Sequence, residues 1–315
     1  MFARRIIQVR FCSAKSSGRF VIDSESCSQN HRVEIASILV NLMSAESTGA
    51  VIAPQIIVSA VIDWVNNLQS QGKLAEAAQS LEEATLAARA TPHEIEFVTR
   101  VQLGMTLAEV YVSSDRIGDA RAFLREEVAF AQRMSQIMQK TGTLHQKRST
   151  RSGYQQIRDR AQQIDLFGKP APEIEIENWL IGEPTSVAKL LGKVVLIGFW
   201  ATWSKPSQDM FPRLAALSNE YSTRGLEIIA MTRHYGRTAE ARTAELELMR
   251  ATIAEHAAPF SVAIAPDQGL QDRYGANGLP TIALIDRRGV VQYAGAGGDD
   301  PIFQERLQRC LDEGG

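Results

Sequence analysis

Val194-Val195-Leu196-Ile197-Gly198-Phe199-Trp200-Ala201-Thr202-Trp203-Ser204-Lys205-Pro206-Ser207 is the stretch from which the fold is read. Val194 to Phe199 form an unbroken apolar run rich in β-branched side chains, as expected of a central strand buried on both faces of a sheet. After Ser207, Met210, Phe211, Leu214 and Leu217 recur at helical spacing up to Tyr221, so the order is strand, tight loop, helix. Downstream, Leu226-Glu227-Ile228-Ile229-Ala230-Met231 predicts a second buried strand. Residues 239–256 predict a helix with Leu246, Met249 and Ile253 on one side, and a short strand over 260–264 follows Pro259. Gly278-Leu279-Pro280-Thr281 then leads into Ile282-Ala283-Leu284-Ile285, which Asp286-Arg287-Arg288-Gly289 turns back as a hairpin into Val290-Val291-Gln292-Tyr293. A helix over 301–311 closes the series. Strands that alternate with helices imply a parallel sheet packed between helices.

Upstream the pattern changes. Residues 1–31 are polar, Ser-rich and aperiodic, the composition of a poorly ordered basic tail. Residues 32–140 read as an all-α domain, with Ile35, Ile38, Leu39 and Leu42 on one helical face and Val58, Val61, Ile62, Val65 and Leu68 on the next. Within it, stretches 64–84 and 107–127 both read helix, turn, helix at an offset of 43 residues. Their turns are Gly72-Lys73-Leu74 and Arg116-Ile117-Gly118, and small or apolar residues follow at Ala77, Leu81 and Ala84, and at Ala120, Leu124 and Val128. With Tyr111 and Ala120 at fitting positions, this resembles a tetratricopeptide pair, and an ordinary helical bundle is the equal alternative. Residues 141–166, polar and basic through Lys147, Arg148 and Arg151, are expected to be a linker with a short helix from Tyr154.

Composition narrows the function classes. With 44% hydrophobic residues, 22% charged residues and a formal charge of -2 in 315 residues, no global field draws the chain to nucleic acid or anionic lipid. Cys12, Cys27 and Cys310 have neither CxxC nor Cys/His spacing, so neither a metal site nor a disulfide framework is expected. The least polar stretch, 47–62, is interrupted by Pro54, Gln55 and Ser59 and is too short to span a bilayer. No cofactor is expected. With no export signal or spanning segment legible, the cytoplasm is the default compartment.

Four features in register carry a family resemblance: Gly168-Lys169-Pro170-Ala171-Pro172, the motif 199–207, Gly278-Leu279-Pro280-Thr281 and the Asp286–Gly289 hairpin. Over 167–313 the chain resembles the thioredoxin-like superfamily, and within it the redoxin (AhpC-TSA-like) proteins of TlpA/ResA thiol-disulfide oxidoreductase type. The resemblance implies an α/β thioredoxin fold, a mixed central sheet flanked by helices. It further implies that Ser204 and Ser207 stand where the family has Cys-x-x-Cys, and that Pro280 has a cis peptide bond facing that pair across a substrate groove. It gives the cell envelope as the alternative compartment.

Disulfide exchange needs a thiolate to attack and a second thiol to resolve. A serine hydroxyl is far from ionising at neutral pH and forms no disulfide. The resemblance also places Gly198 where thioredoxins carry a buried acid and Met210 where ResA-like proteins carry a Glu, so both proton-handling positions are empty of acid. Ser204 in its bland role is a helix N-cap. A serine-nucleophile reading needs a base, and only His234, leaving the second parallel strand at its carboxyl end, stands at the right edge. The expectation is therefore a redox-inactive module that binds a protein or peptide partner along Trp203, Lys205, Pro206, Leu279, Pro280 and Thr281. The alternative is a thiol-disulfide oxidoreductase seen as a Cys-to-Ser variant.

Overall fold

The computed structural model describes residues 54–90, 97–183, 185–296 and 300–313. The expected tail 1–31, the face through Ile35 and Leu42, and Cys12, Cys27, His31 and His93 lie outside the described residues. The chain divides into two compact units, 1–110 and 111–315.

In the first unit, α1 (Pro54–Ser70) and α2 (Leu74–Ala90) form a hairpin, and α3 (Phe97–Ser113) follows, its last three residues falling past the division at 110. Val58, Val61, Val65 and Leu68 of α1 are buried, as are Ala77, Ala78, Leu81, Ala84 and Ala88 of α2. The alanines keep α2 thin on the side that packs, which lets two helices approach closely. Gly72 closes α1 at φ 71°, a left-handed conformation that glycine adopts without a Cβ penalty.

The first helices that lie wholly in the second unit form a long hairpin, α4 (Ile117–Thr141) and α5 (Leu144–Leu166). Here the linker expected over 141–166 gives way to a helix that begins ten residues before Tyr154. Thr143 Oγ1 accepts from the Gln146 N–H and the Gln146 side chain accepts from the Thr143 N–H, a reciprocal cap that fixes the start at Leu144. The buried side of α5 consists of Thr150, Gly153, Ile157, Asp159, Arg160, Gln163, Ile164 and Leu166. A stripe so polar has no hydrophobic period, which is why the sequence reads as linker.

The sheet has six strands in the order β1-β4-β3-β2-β5-β6: β1 (Asn178–Ile181), β2 (Val194–Phe199), β3 (Leu226–Arg233), β4 (Ser261–Ala265), β5 (Thr281–Ile285) and β6 (Val291–Gly295). β2, β3 and β4 run parallel, while β1, β5 and β6 join antiparallel to their neighbours. All six residues of β2 are buried, as its apolar run requires of an interior strand. One face packs on α6 (Lys205–Tyr221), α7 (Ala239–Glu255) and α9 (Pro301–Asp312) through Phe211, Leu214, Met249, Ile253, Phe303 and Leu307. This mixed sheet between helices is the expected thioredoxin fold, with β1 and the six-residue helix α8 (Gly269–Tyr274) added.

Helix α5 is fastened to this body by side chains that reach main-chain groups. Arg160 Nη1 donates to the Ala294 carbonyl at 2.7 Å, Gln163 Nε2 to the Gly275 carbonyl at 2.7 Å and Gln162 Nε2 to the Arg273 carbonyl at 3.0 Å. Gly275, at φ 61°, lies so near the α5 backbone that a Cβ there would run into the Asp159 carbonyl oxygen. From α4, Arg121 Nη2 donates to the Phe167 carbonyl at the entry of the sheet domain. The helical hairpin and the sheet are thus parts of one unit.

Candidate binding site at the Ser204–Ser207 turn

β2 delivers the chain to the carboxyl edge of the parallel strands, where α/β sheets form their sites. Trp200 turns inward, fully buried, its ring edge-on to Phe211 at 4.8 Å. Trp203 turns outward and is 64% exposed, the one aromatic among the exposed large hydrophobic side chains of the described residues. Buried Trp200 anchors the loop, while Trp203 leaves most of its side chain open to solvent.

Ser204 caps α6, accepting from the Ser207 N–H at 3.4 Å. The Ser207 hydroxyl, itself buried, donates to Ser204 Oγ at 2.9 Å. Two hydroxyls hydrogen-bonded across one helical turn therefore stand where the resemblance implies two sulfurs. Lys205 and Pro206 are exposed, and Lys205 Nζ is bonded to Asp209 at 2.5 Å. That bond and the Asp209 charge raise the lysine pKa, so Lys205 stays cationic at any physiological pH.

The second segment arrives by register. Phe199 pairs with Thr281, so Trp200 and Pro280 leave neighbouring strands side by side. The Leu279–Pro280 peptide is cis, as the resemblance implies. Thr281 is buried, with its hydroxyl donating to the Gly278 carbonyl at 2.6 Å, while Leu279 and Pro280 are half-buried. Trp203 and Ser204 on one side and the cis-proline loop on the other thus meet at one edge of the sheet.

The serine-nucleophile reading finds no base here. The hydrogen bonds of the Ser204 hydroxyl run to Ser207, and His234 Nδ1 lies 3.2 Å from Glu245 Oε2. Glu245 also accepts from the N–H groups of Tyr235 and Gly236, so it clamps the loop that follows β3. That loop belongs to the site. Tyr235 meets Trp203 edge-on at 5.4 Å, and the Arg233 guanidinium stacks 3.9 Å from the Tyr235 ring centre. Burial raises the Tyr235 pKa, against the lowering effect of Gln271 and Arg233, and holds the phenol neutral. Sequence reasoning placed His234 on this edge and missed Arg233 and Tyr235, although an Arg and an aromatic immediately after a parallel strand were the available signal.

No cysteine stands at this edge among the described residues. The one cysteine among the described residues, Cys310, is buried in α9, and burial pushes its thiol up to about 11. At neutral pH it is an inert core residue. Gly198 and Met210 are buried and bring no carboxylate. The described residues hold no cluster of potential metal ligands and no helix long and apolar enough to cross a membrane.

The sequence model of the AhpC/TSA family matches residues 167–294. The thiol-disulfide oxidoreductase ResA of Bacillus anthracis is 32% identical over 125 residues, 40% of this chain and 66% of that protein. The ResA of Halalkalibacterium halodurans is 30% identical over 144 residues, 46% of this chain and 76% of the relative. Among solved structures, a thiol:disulfide interchange protein DsbE from Chlorobium tepidum aligns over 46% of this chain and 97% of its own, with 25% identity and a TM-score of 0.40. The chain thus spans about two thirds of the length of the Bacillus relative.

Proposed function

Starting from the premise that this chain belongs to the thioredoxin-like, ResA/TlpA-type family of thiol-disulfide oxidoreductases, we propose that it acts as a protein- or peptide-binding module without dithiol chemistry at the family's site. The observation that carries this is the hydroxyl pair, Ser207 Oγ donating to Ser204 Oγ at 2.9 Å. Electron transfer by this fold depends on a thiolate at the helix N-terminus. An alcohol there has no two-electron couple, so the helix end serves only to fix the loop.

What persists is the recognition surface. An extended segment can lie between Trp203 and the strand-entry loop at Leu279-Pro280, exchanging main-chain hydrogen bonds with the loop and covering the indole. Binding of this kind needs no proton transfer, and the absence of acids at Gly198 and Met210 costs it nothing.

Two assays on the full chain test the proposal. Insulin reduction with dithiothreitol should stay at the rate of the reductant alone. A reduced, alkylated unfolded polypeptide should be retained, with Trp203→Ala weakening retention about tenfold, the scale of a buried aromatic contact. Insulin reduction above background by the unaltered chain would overturn the reading, and so would polypeptide retention that ignores Trp203.

A further inference from the structure

Resting on the binding-module reading, we propose that the segment this site takes is acidic, with its carboxylates received by Arg233, stacked on the Tyr235 ring that meets Trp203, and by Arg237 and Arg242 on the loop and helix that follow.

Arg233 is the last residue of β3. Its Nε donates to Gln271 Oε1 at 2.7 Å and its Nη1 to the His234 carbonyl at 3.2 Å, while Gln271 Nε2 donates to the Tyr235 hydroxyl at 2.9 Å. With the ring of Tyr235 beneath it, the guanidinium is held in one plane on three sides. Its Nη2 amino group makes no hydrogen bond among the described residues. A fixed, half-buried guanidinium with an unused outer edge is the arrangement that receives a planar carboxylate, because little side-chain entropy remains to be lost.

The arginines that follow along the chain point the same way. Arg237 and Arg242 are exposed on the loop and helix that follow, and Arg242 Nε donates only to the Gly236 carbonyl. Among the described residues none of the three arginines has a carboxylate at ion-pair distance. The acids nearby are engaged elsewhere. Glu245 is held by the Tyr235 and Gly236 N–H groups and His234. Its own main-chain N–H and the Thr238 side chain hold the Glu240 carboxylate at the start of α7, lowering its pKa. Asp209 holds Lys205, and Asp267 accepts from the Gly269 N–H. The rim therefore presents three guanidinium groups with no carboxylate at ion-pair distance among the described residues, next to a Trp203 side chain that is 64% exposed. An extended peptide with Asp or Glu near the residue that covers Trp203 satisfies both.

A positional library of fluorescein-labelled octapeptides, screened against the full chain, tests this. Asp and Glu should be enriched at one or two positions. Affinity for a selected peptide should fall about tenfold on Glu→Gln replacement in the peptide or on Arg233→Gln in the protein, and should weaken with added salt. Arg237→Gln with Arg242→Gln, both at exposed positions that bear no core contact, should lower affinity about threefold, a check that does not depend on how Arg233→Gln folds. If peptides are retained without acidic preference while Trp203→Ala still releases them, the acidic inference falls and the binding-module reading stands. If no peptide is retained, both fall. If sulfate or phosphate displaces the acidic peptide at equal concentration, the rim is a general anion site and the assignment to a peptide is overturned.

Discussion

The thioether of Met210 fills the space in front of Gly198: a Cβ built on Gly198 would stand 3.2 Å from Met210 Cε and 3.1 Å from Leu214 Cδ1. The two positions at which the family resemblance implies proton-carrying acids are thus packed against each other. Each absence accommodates the other, since the small residue makes room for the long apolar one. A carboxyl added at Gly198 alone would be overpacked and would force Met210 to move.

That packing sets the outcome of restoring the sulfurs. In Ser204→Cys with Ser207→Cys, the hydroxyls now 2.9 Å apart are replaced by thiols on the same helical turn, and the N-terminal dipole favours a thiolate. The double variant should form an intramolecular disulfide, detected as loss of titratable thiol. It should reduce insulin at least tenfold more slowly than a ResA-type relative, because no group at Gly198 or Met210 moves the proton. Adding Met210→Glu should raise that rate. Equal rates with and without the glutamate would show that proton delivery comes from elsewhere.

Asp286 should govern acid stability of the sheet domain. Burial pushes its carboxyl up, but hydrogen bonds from the Val290 N–H, the Arg288 side chain and N–H, and Gln292 outweigh this and hold it below the usual carboxylate range. A lowered folded pKa contributes stability that is present above the unfolded value, about 3.9, and is lost as pH falls through the folded one. Asp286→Asn should therefore cost about 2 kcal/mol at pH 7. The gap between variant and parent in denaturant midpoint should close below about pH 4, and a gap independent of pH would reject the charged hydrogen bonds as its source.

Gly275 should not tolerate alanine. Its φ of 61° and the Asp159 carbonyl in front of it add a backbone strain to a collision with main chain, together about 2–4 kcal/mol. Trypsin reports the consequence, since a helix is a poor protease substrate until it opens. In the parent chain Lys147, Arg148 and Arg151 should resist cleavage. In Gly275→Ala they should become early sites, and rapid cutting there in the parent would contradict the docked helix.

Cys310 should be silent toward alkylation. With its thiol pushed up to about 11 by burial, iodoacetamide at pH 8 should leave the peptide carrying it unmodified in the native protein and label it in guanidinium chloride. Native labelling would mean that α9 opens readily.

How far the sequence carried these conclusions depended on whether burial was apolar. β2 was legible because every residue of Val194-Val195-Leu196-Ile197-Gly198-Phe199 is buried, and the Asp286 turn because its chemistry is local. β1 was missed: Asn178-Trp179-Leu180-Ile181 is a four-residue edge strand, none of it fully buried, with no alternation to read. Helix α8, at six residues, is too short to show a period. The first ten residues of α5, 144–153, were read as linker because they bury only Thr150 and Gly153 and so show no apolar period, while the helix from Tyr154 was legible. At the site, Ser204, Ser207 and Trp203 were found through the motif. Tyr235, with Arg233 stacked on its ring, meets Trp203 from the end of β3, a meeting that the pairing of β2 with β3 sets up.

The hydroxyl pair has one consequence for the life of the protein in a cell. A dithiol presents two surfaces to its surroundings, one reduced and one bridged, and what it holds can change with the oxidants around it. Ser204 and Ser207 have a single redox state, so the hydrogen-bonded turn they form keeps the same shape in oxidising and in reducing surroundings alike.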